Sequence, residues 1–153
     1  MKELSYNQIW QKYLAFFEKN KHTIIPSSPL VPENDPSVLF INAGMFPLVP
    51  FLNGQEHPEG KRLVNIQRCI RTGDIDEVGD AFHCTAFTML GNWSLDDYFK
   101  KEAIEMTTTF YIEELGLDIN KMYATVFKGE DNIPKDTESI EAWKDIFAKH
   151  GIE

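Results

Sequence analysis

From Ile9 to Phe17 the apolar residues Ile9, Trp10, Tyr13, Leu14 and Phe17 recur at three- and four-residue intervals, the signature of one buried helix face. Ser5 opens this stretch and Gln8 follows three residues later, as a capping box requires, while Asn20 supplies a stop. His22–Ile25 then reads as a short strand. Pro26, Pro29, Pro32 and Pro36 exclude helix from Ser27 to Pro36 and predict an extended, turn-rich connection. Val38–Ile41 is an unbroken apolar run of strand length, stopped by Asn42-Ala43-Gly44, and its continuity predicts a strand covered on both faces. Prolines and glycines from Pro47 to Gly60 predict loop with one short helix. Leu63–Arg71 and Phe82–Leu90 read as two strands joined by the polar stretch Thr72–Asp80, hence as an antiparallel pair. Asp96 or Asp97 can cap a long helix running to Leu115 and ended by Gly116; the threonines 107–109 leave that helix to be held by packing. Met122–Phe127 predicts a further strand, and Ser139–Lys149 a last helix closed by Gly151. Helices mixed with an antiparallel hairpin predict an α+β fold.

Composition narrows the functional classes. Lysine and arginine number 15 against 24 aspartates and glutamates, a formal net charge of −9, so the body of the protein repels nucleic-acid phosphate and predicts no DNA partner. Any RNA contact must be local or come from sequence outside this chain. Cys69 and Cys84 cannot build a disulfide framework, and the four histidines (His22, His57, His83, His150) form no ligand-spaced pair, so no metal site is predicted. An apolar leader, a membrane-length apolar run, internal repeats and a flexible linker are all absent from the sequence, predicting one soluble, cytoplasmic domain over residues 1–153.

Chemistry concentrates between Lys61 and Leu90. Lys61, Arg62, Arg68 and Arg71 make a basic strand on an acidic protein. Arg68 and Arg71 lie three apart, so strand parity sends them to opposite faces and only one can serve a given ligand. A guanidinium suits bidentate contact with phosphate or carboxylate; the plainer alternative is surface ion pairing with Asp74, Asp76, Glu77 or Asp80. The acidic loop Asp74–Asp80 fails as a calcium loop, since Val78 takes the fifth ligand slot and Thr85 stands at the twelfth. It remains either a solvated turn or a partner to Mg²⁺ held jointly with nucleotide phosphates. His83 and Phe87, four apart on the second predicted strand, would share a face: a stacking platform with an imidazole beside it, or simply core. Asn42-Ala43-Gly44-Met45 and Leu90-Gly91-Asn92-Trp93 offer glycines after apolar strands, either turns or points of close backbone approach to a ligand.

Three blocks in order carry a resemblance: Pro29 through Met45, Gln67 through Gly79, and Met89-Leu90-Gly91-Asn92-Trp93-Ser94 with Asp97-Tyr98-Phe99-Lys100 behind it. From about Leu4 onward the chain resembles bacterial alanyl-tRNA synthetases. The resemblance implies the N-terminal half of a class II synthetase catalytic domain, an antiparallel sheet flanked by helices. It implies activation of alanine by ATP and Mg²⁺ and transfer to alanine tRNA. Pro32 then falls at the proline of motif 1 and the hairpin from Ile66 to Leu90 at motif 2. Arg71 becomes the catalytic arginine that clamps the α-phosphate and the alanine carboxylate, Phe87 the aromatic beneath adenine, and His83 a phosphate contact. Asn42, Gly44, Met45 and Asp76 complete the expected cofactor-binding set.

The chain departs from the family pattern at Cys84, Ala86, Thr88 and Asp96, where histidine, phenylalanine, glutamate and glycine are usual. The glutamate replaced by Thr88 would help hold Mg²⁺ or orient nucleotide. The family's motif 3, alanine pocket, tRNA-binding helices and zinc-containing region lie beyond the position matching Glu153, so the chain alone is expected to be inactive. The alternative is a non-catalytic paralogue that binds a nucleotide or a protein partner without ligase activity.

Overall fold

The computed structural model describes residues 3–32 and 38–152. The chain divides into two compact units, Trp10–Asp97 and Met1–Ile9 with Tyr98–Glu153. Helix α1 (Tyr6–Lys19) starts at the predicted capping box: Ser5 N–H donates to Gln8 Oε1 at 2.8 Å, and Gln8 N–H donates to Ser5 Oγ at 3.4 Å. At its end the Asn20 side-chain amide donates to the Phe16 carbonyl at 2.8 Å, but the left-handed residue that turns the chain is Lys21, with φ 65°.

In the Trp10–Asp97 unit a three-stranded mixed sheet runs in the order β1 (Thr23–Ile24), β2 (Arg62–Ile70), β3 (Ala86–Ser94). β1 pairs parallel with β2, and β2 pairs antiparallel with β3 from Arg62↔Ser94 to Ile70↔Ala86. The predicted hairpin is therefore present, shifted along its second strand. Asp80 is the reason: its Oδ1 accepts from the N–H groups of Phe82 and His83, a local turn that keeps Phe82–Cys84 out of the ladder. Ile25, Leu48 and Leu63 form a buried cluster, with Phe51, Trp93 and Leu95 packed against it. Leu48 arrives on a 3₁₀ turn (Phe46–Leu48) that leads into the single-turn helix α2 (Val49–Leu52). Across the sheet, α1 is tied by Tyr13, whose hydroxyl donates to Asn92 Oδ1 at 2.9 Å.

The predicted strand at Val38–Ile41 does not form. Ile41 alone is buried and paired, its N–H to Leu30 O at 2.8 Å and its carbonyl to Ile70 N–H at 2.9 Å, while Leu39 is 84% exposed. A lone pair of backbone bonds cannot build a ladder, so apolarity misread a tether as a covered strand. The neighbouring residues 33–37, which belong to the predicted Pro-rich connection and to the first family-like block, lie outside the described residues.

In the other unit α3 (Lys100–Thr109) begins later than the predicted Asp96 or Asp97 cap, with Phe99 at the N-cap position. Asp97 is engaged elsewhere, on Arg62, at 2.6 Å. A π turn (Phe110–Glu114) follows, and Gly116, at φ 67°, ends the helix as predicted. Met122–Phe127, the further predicted strand, alternates in burial, Tyr123 94% exposed and its neighbours half-buried, yet lies in no sheet among the described residues. An extended segment without a hydrogen-bonded neighbour is not a strand. Helix α4 (Thr137–Lys149) is capped by Asp136, which accepts from Ser139 N–H at 3.1 Å, and the α4 residue Lys149 pairs with Glu105 of α3 at 3.3 Å.

Candidate nucleotide half-site

Beyond the last ladder pair, Ile70↔Ala86, the hairpin gains one more rung: Arg71 N–H donates to Thr85 O at 2.8 Å. Directly opposed residues share a face, so Leu63, Asn65, Gln67 and Cys69 lie with Trp93, Gly91, Met89 and Phe87. Arg71 continues this face. Its guanidinium carbon sits 5.0 Å from the centroid of the Phe87 ring, and its Nε donates to Asn42 O at 3.0 Å. Arg68, opposite Thr88, points to the other face, as parity predicts. Burial pushes the Cys69 thiol up, with the positive Arg71 opposing, so this cysteine stays protonated beside the site.

The Asn42 carbonyl follows Ile41, which is bonded to Leu30 O and Ile70 N–H, and a buried polar network holds the adjoining β2. Gln67, fully buried, accepts from Ser28 N–H at 2.9 Å and donates to Ser28 O at 3.0 Å and Arg68 O at 2.9 Å, pinning the 27–32 segment to β2. Ser27 Oγ adds a hydrogen bond to Ile66 O. Trp93 Nε1–H donates to Asn65 Oδ1 at 3.3 Å, which fixes the indole over Gly91 and under Gly44. A Cβ at 91 would stand 2.9 Å from Trp93 Cε2 and closer still to Cζ2; one at 44 would stand 3.0 Å from Cζ2. Both glycines are thus required by close approach of the ring. Gly44 N–H also donates to Met89 Sδ at 3.1 Å. Asn65 and Gln67 were not singled out from sequence, although counting back by twos from Arg71 reaches both; Trp93, named there only beside Gly91, is reached by counting forward by twos from Phe87.

An open groove of about 410 Å³ adjoins Arg71, lined also by Phe40, Asn42, Ile70, Thr72 and Asp74. A larger cavity, about 470 Å³, lies at the far end of the hairpin around Phe51, His57, Lys61 and Asp96. The nine-residue β2 separates the two ends by roughly 25–30 Å. Of the two, the smaller groove is the one lined by Arg71, which itself caps the Phe87 ring; among the described residues, Asn42 O is the one hydrogen-bond acceptor that Arg71 side-chain donors meet.

The sequence matches the family model for tRNA synthetases class II (A) over residues 8–152. The chain belongs to this family. It is 50% identical over 147 residues to the alanine–tRNA ligase of Treponema denticola, covering 95% of this chain and 24% of the relative. It is 49% identical over 145 residues to that of Borreliella burgdorferi (94% and 24%) and 51% identical over 140 residues to that of Treponema pallidum (90% and 23%). The chain thus spans about a quarter of the length of the curated relatives it matches.

Family membership gives the departures a physical test, and each falls away from the Arg71–Phe87 face. Thr88 and Ala86 pair with Arg68 and Ile70 on the opposite face, so a glutamate at 88 would meet Arg68 rather than a ligand lying on Phe87. Asp96 has φ 56°, the left-handed conformation that glycine adopts freely, which explains the family's usual residue there without any ligand. Cys84 is exposed in the segment before β3.

The structure does not gather every expected site residue. His83 is off the strand, and its Nδ1 bonds Asp80 Oδ2 at 2.7 Å instead of sharing a face with Phe87. That ring and the His83 and Phe82 N–H groups hold the Asp80 carboxyl below the usual carboxylate range, the His83 N–H contributing most. Asp76 sits exposed in a 3₁₀ turn (Ile75–Glu77), and Met45 half-exposed before another. Among the described residues, no group of three or more His, Cys, Asp or Glu side chains could hold a metal ion, and no helix is long and apolar enough to cross a membrane.

Proposed function

We propose that this chain supplies the Arg71–Phe87 half of the ATP site in an enzyme that activates alanine and ligates it to alanine tRNA. The observation that carries this reading is the juxtaposition of Arg71 and Phe87 on one face beside an open groove. The adenine would stack on Phe87, a contact worth ~1–3 kcal/mol by comparison with bases on other aromatics. Arg71 would grip the α-phosphate while an alanine carboxylate oxygen attacks phosphorus in line. The bond to the bridging oxygen breaks, pyrophosphate leaves and alanyl-adenylate remains. Negative charge builds on the non-bridging oxygens during this step, and a guanidinium bonded to them stabilises it. The tRNA then accepts the alanine, in reactions needing residues beyond those described.

Mg²⁺ prefers one or two carboxylates together with substrate phosphates. Among the described residues the donor set fits that use and no tighter one: Asp74 is the carboxylate lining the groove, and Asp80 is committed to Phe82 and His83. When bound, the ion would neutralise phosphate charge. Cytoplasmic placement goes with this activity.

Alanine-dependent exchange of pyrophosphate into ATP tests the proposal. Arg71→Ala in the full-length enzyme is expected to lower exchange by about 10²–10³, the usual loss for one donor to a developing oxyanion. Exchange unchanged by Arg71→Ala overturns the assignment.

A further inference from the structure

Arg71 and the adenine of the proposed site claim the same surface. The guanidinium carbon lies 5.0 Å from the Phe87 centroid, whereas a stacked purine and its ring sit about 3.5–4 Å apart. Nothing planar fits between them. Arg71 is exposed and, among the described residues, is held there by two modest contacts, the ring and the Asn42 carbonyl.

We infer that Arg71 screens Phe87 and yields the ring only to a nucleotide that carries phosphate, so that it selects nucleotides over bare nucleosides. This rests on the reading of Phe87 as the adenine platform. Moving Arg71 forfeits its cation–π contact and its bond to Asn42 for any purine. A phosphate compensates, because it offers the displaced guanidinium a charge-assisted, bidentate partner. Adenosine has no such group and bears the loss in full. One residue therefore acts with opposite sign on two ligands that share a base. An arginine that served only as a phosphate clamp would leave adenosine untouched, and one that served only to pack Phe87 would weaken both ligands when removed.

The test compares adenosine, AMP and ATP on the full-length protein, each titration followed by ligand-observed saturation-transfer NMR, for wild type, Arg71→Ala and Arg71→Lys. Arg71→Ala is expected to tighten adenosine about two- to fivefold, the factor set by an exposed cation–π contact. The same change is expected to weaken ATP about tenfold or more, with AMP between the two. Arg71→Lys, with a charge but no planar fork, should fall between wild type and alanine for both ligands. Adenosine affinity unchanged or weakened in Arg71→Ala overturns the screening role. Phe87→Ala, with Phe87→Leu as the better-packed companion and thermal melts as a folding check, separates the two claims. If both Phe87 variants weaken both ligands while Arg71→Ala fails to improve adenosine, only the screen is wrong. If neither Phe87 variant changes either affinity, the platform itself is misplaced.

Discussion

The two halves of the β2–β3 hairpin are built from one ladder yet have opposite characters. In the closed half Leu63, Val64, Asn65 and Gln67 are almost fully buried, and the polar pair is satisfied by Trp93 and Ser28. In the open half Arg68, Arg71 and Ala86 are exposed, the ladder stops, and Phe82 stands 87% exposed in the segment leading back to β3. One end is a scaffold with no slack; the other presents side chains that two modest contacts keep in place. Catalytic groups commonly sit on such exposed ends, positioned by a rigid neighbour. Here the link is explicit: Gln67 holds Ser28, Leu30 and Ile70 hold Ile41, Trp93 packs on Gly44, and Asn42 between Ile41 and Gly44 supplies the carbonyl that holds Arg71.

Glycine substitutions in the two halves should show this contrast most strongly. Gly91→Ala drives a Cβ into the Trp93 ring and should destabilise the fold by about 1–3 kcal/mol or more. Gly73→Ala meets no heavy atom within 4 Å and should change stability by less than about 0.5 kcal/mol. Urea unfolding curves of the two variants measure the contrast, and equal effects would mean that the halves do not differ in packing.

A smaller effect separates the ends by pH. At the closed end buried His22 donates its Nδ1–H to the Phe17 and Asn20 carbonyls, both at 3.1 Å, with the Arg62–Asp97 fork nearby. Burial lowers its pKa most, Arg62 adds to this, and the two backbone bonds oppose it. The unfolded chain therefore binds a proton near pH 6.5 that the folded chain resists, so stability should decline as pH falls below about 6.5 and level off below the folded value. Asp97 is held low, chiefly by its Arg62 hydrogen bond; its contribution persists above about pH 4 and is lost as pH falls through its folded value. Unfolding midpoints between pH 7.5 and 5 check the first sign, and His22→Gln should flatten the slope. At the open end Asp80 behaves like Asp97, so no decline near pH 6.5 is expected from its lowered pKa.

Local signals made much of this legible. The Ser5–Gln8 box, and Gly116 and Gly151 at helix ends, depend on neighbours in sequence and are where the pattern put them; the hairpin is present too, with its second strand shifted to Ala86–Ser94. The parity argument for Arg68 and Arg71 also held, because side-chain alternation survives any error in strand ends. Val38–Ile41 and Met122–Phe127 failed for a common reason: apolarity and alternation describe a side chain's surroundings, whereas a strand is defined by a partner elsewhere in the chain. His83 was misplaced by one aspartate whose turn ends the ladder early. Buried Asn65 and Gln67 were overlooked because polar strand residues read as outward-facing until their partners are known.

The central claim, that the open end of the hairpin is the nucleotide half-site, is tested most directly by backbone amide shifts of the intact chain titrated with Mg·ATP at millimolar concentration. Shift changes are expected at Asn42, Arg71, Thr72, Thr85 and Phe87, and to be lost in Arg71→Ala. The amides of Leu63, Val64 and Trp93 at the closed end should stay still. Shifts gathered instead around Phe51, His57 and Lys61, in the larger cavity at the far end, and indifferent to Arg71→Ala would contradict it.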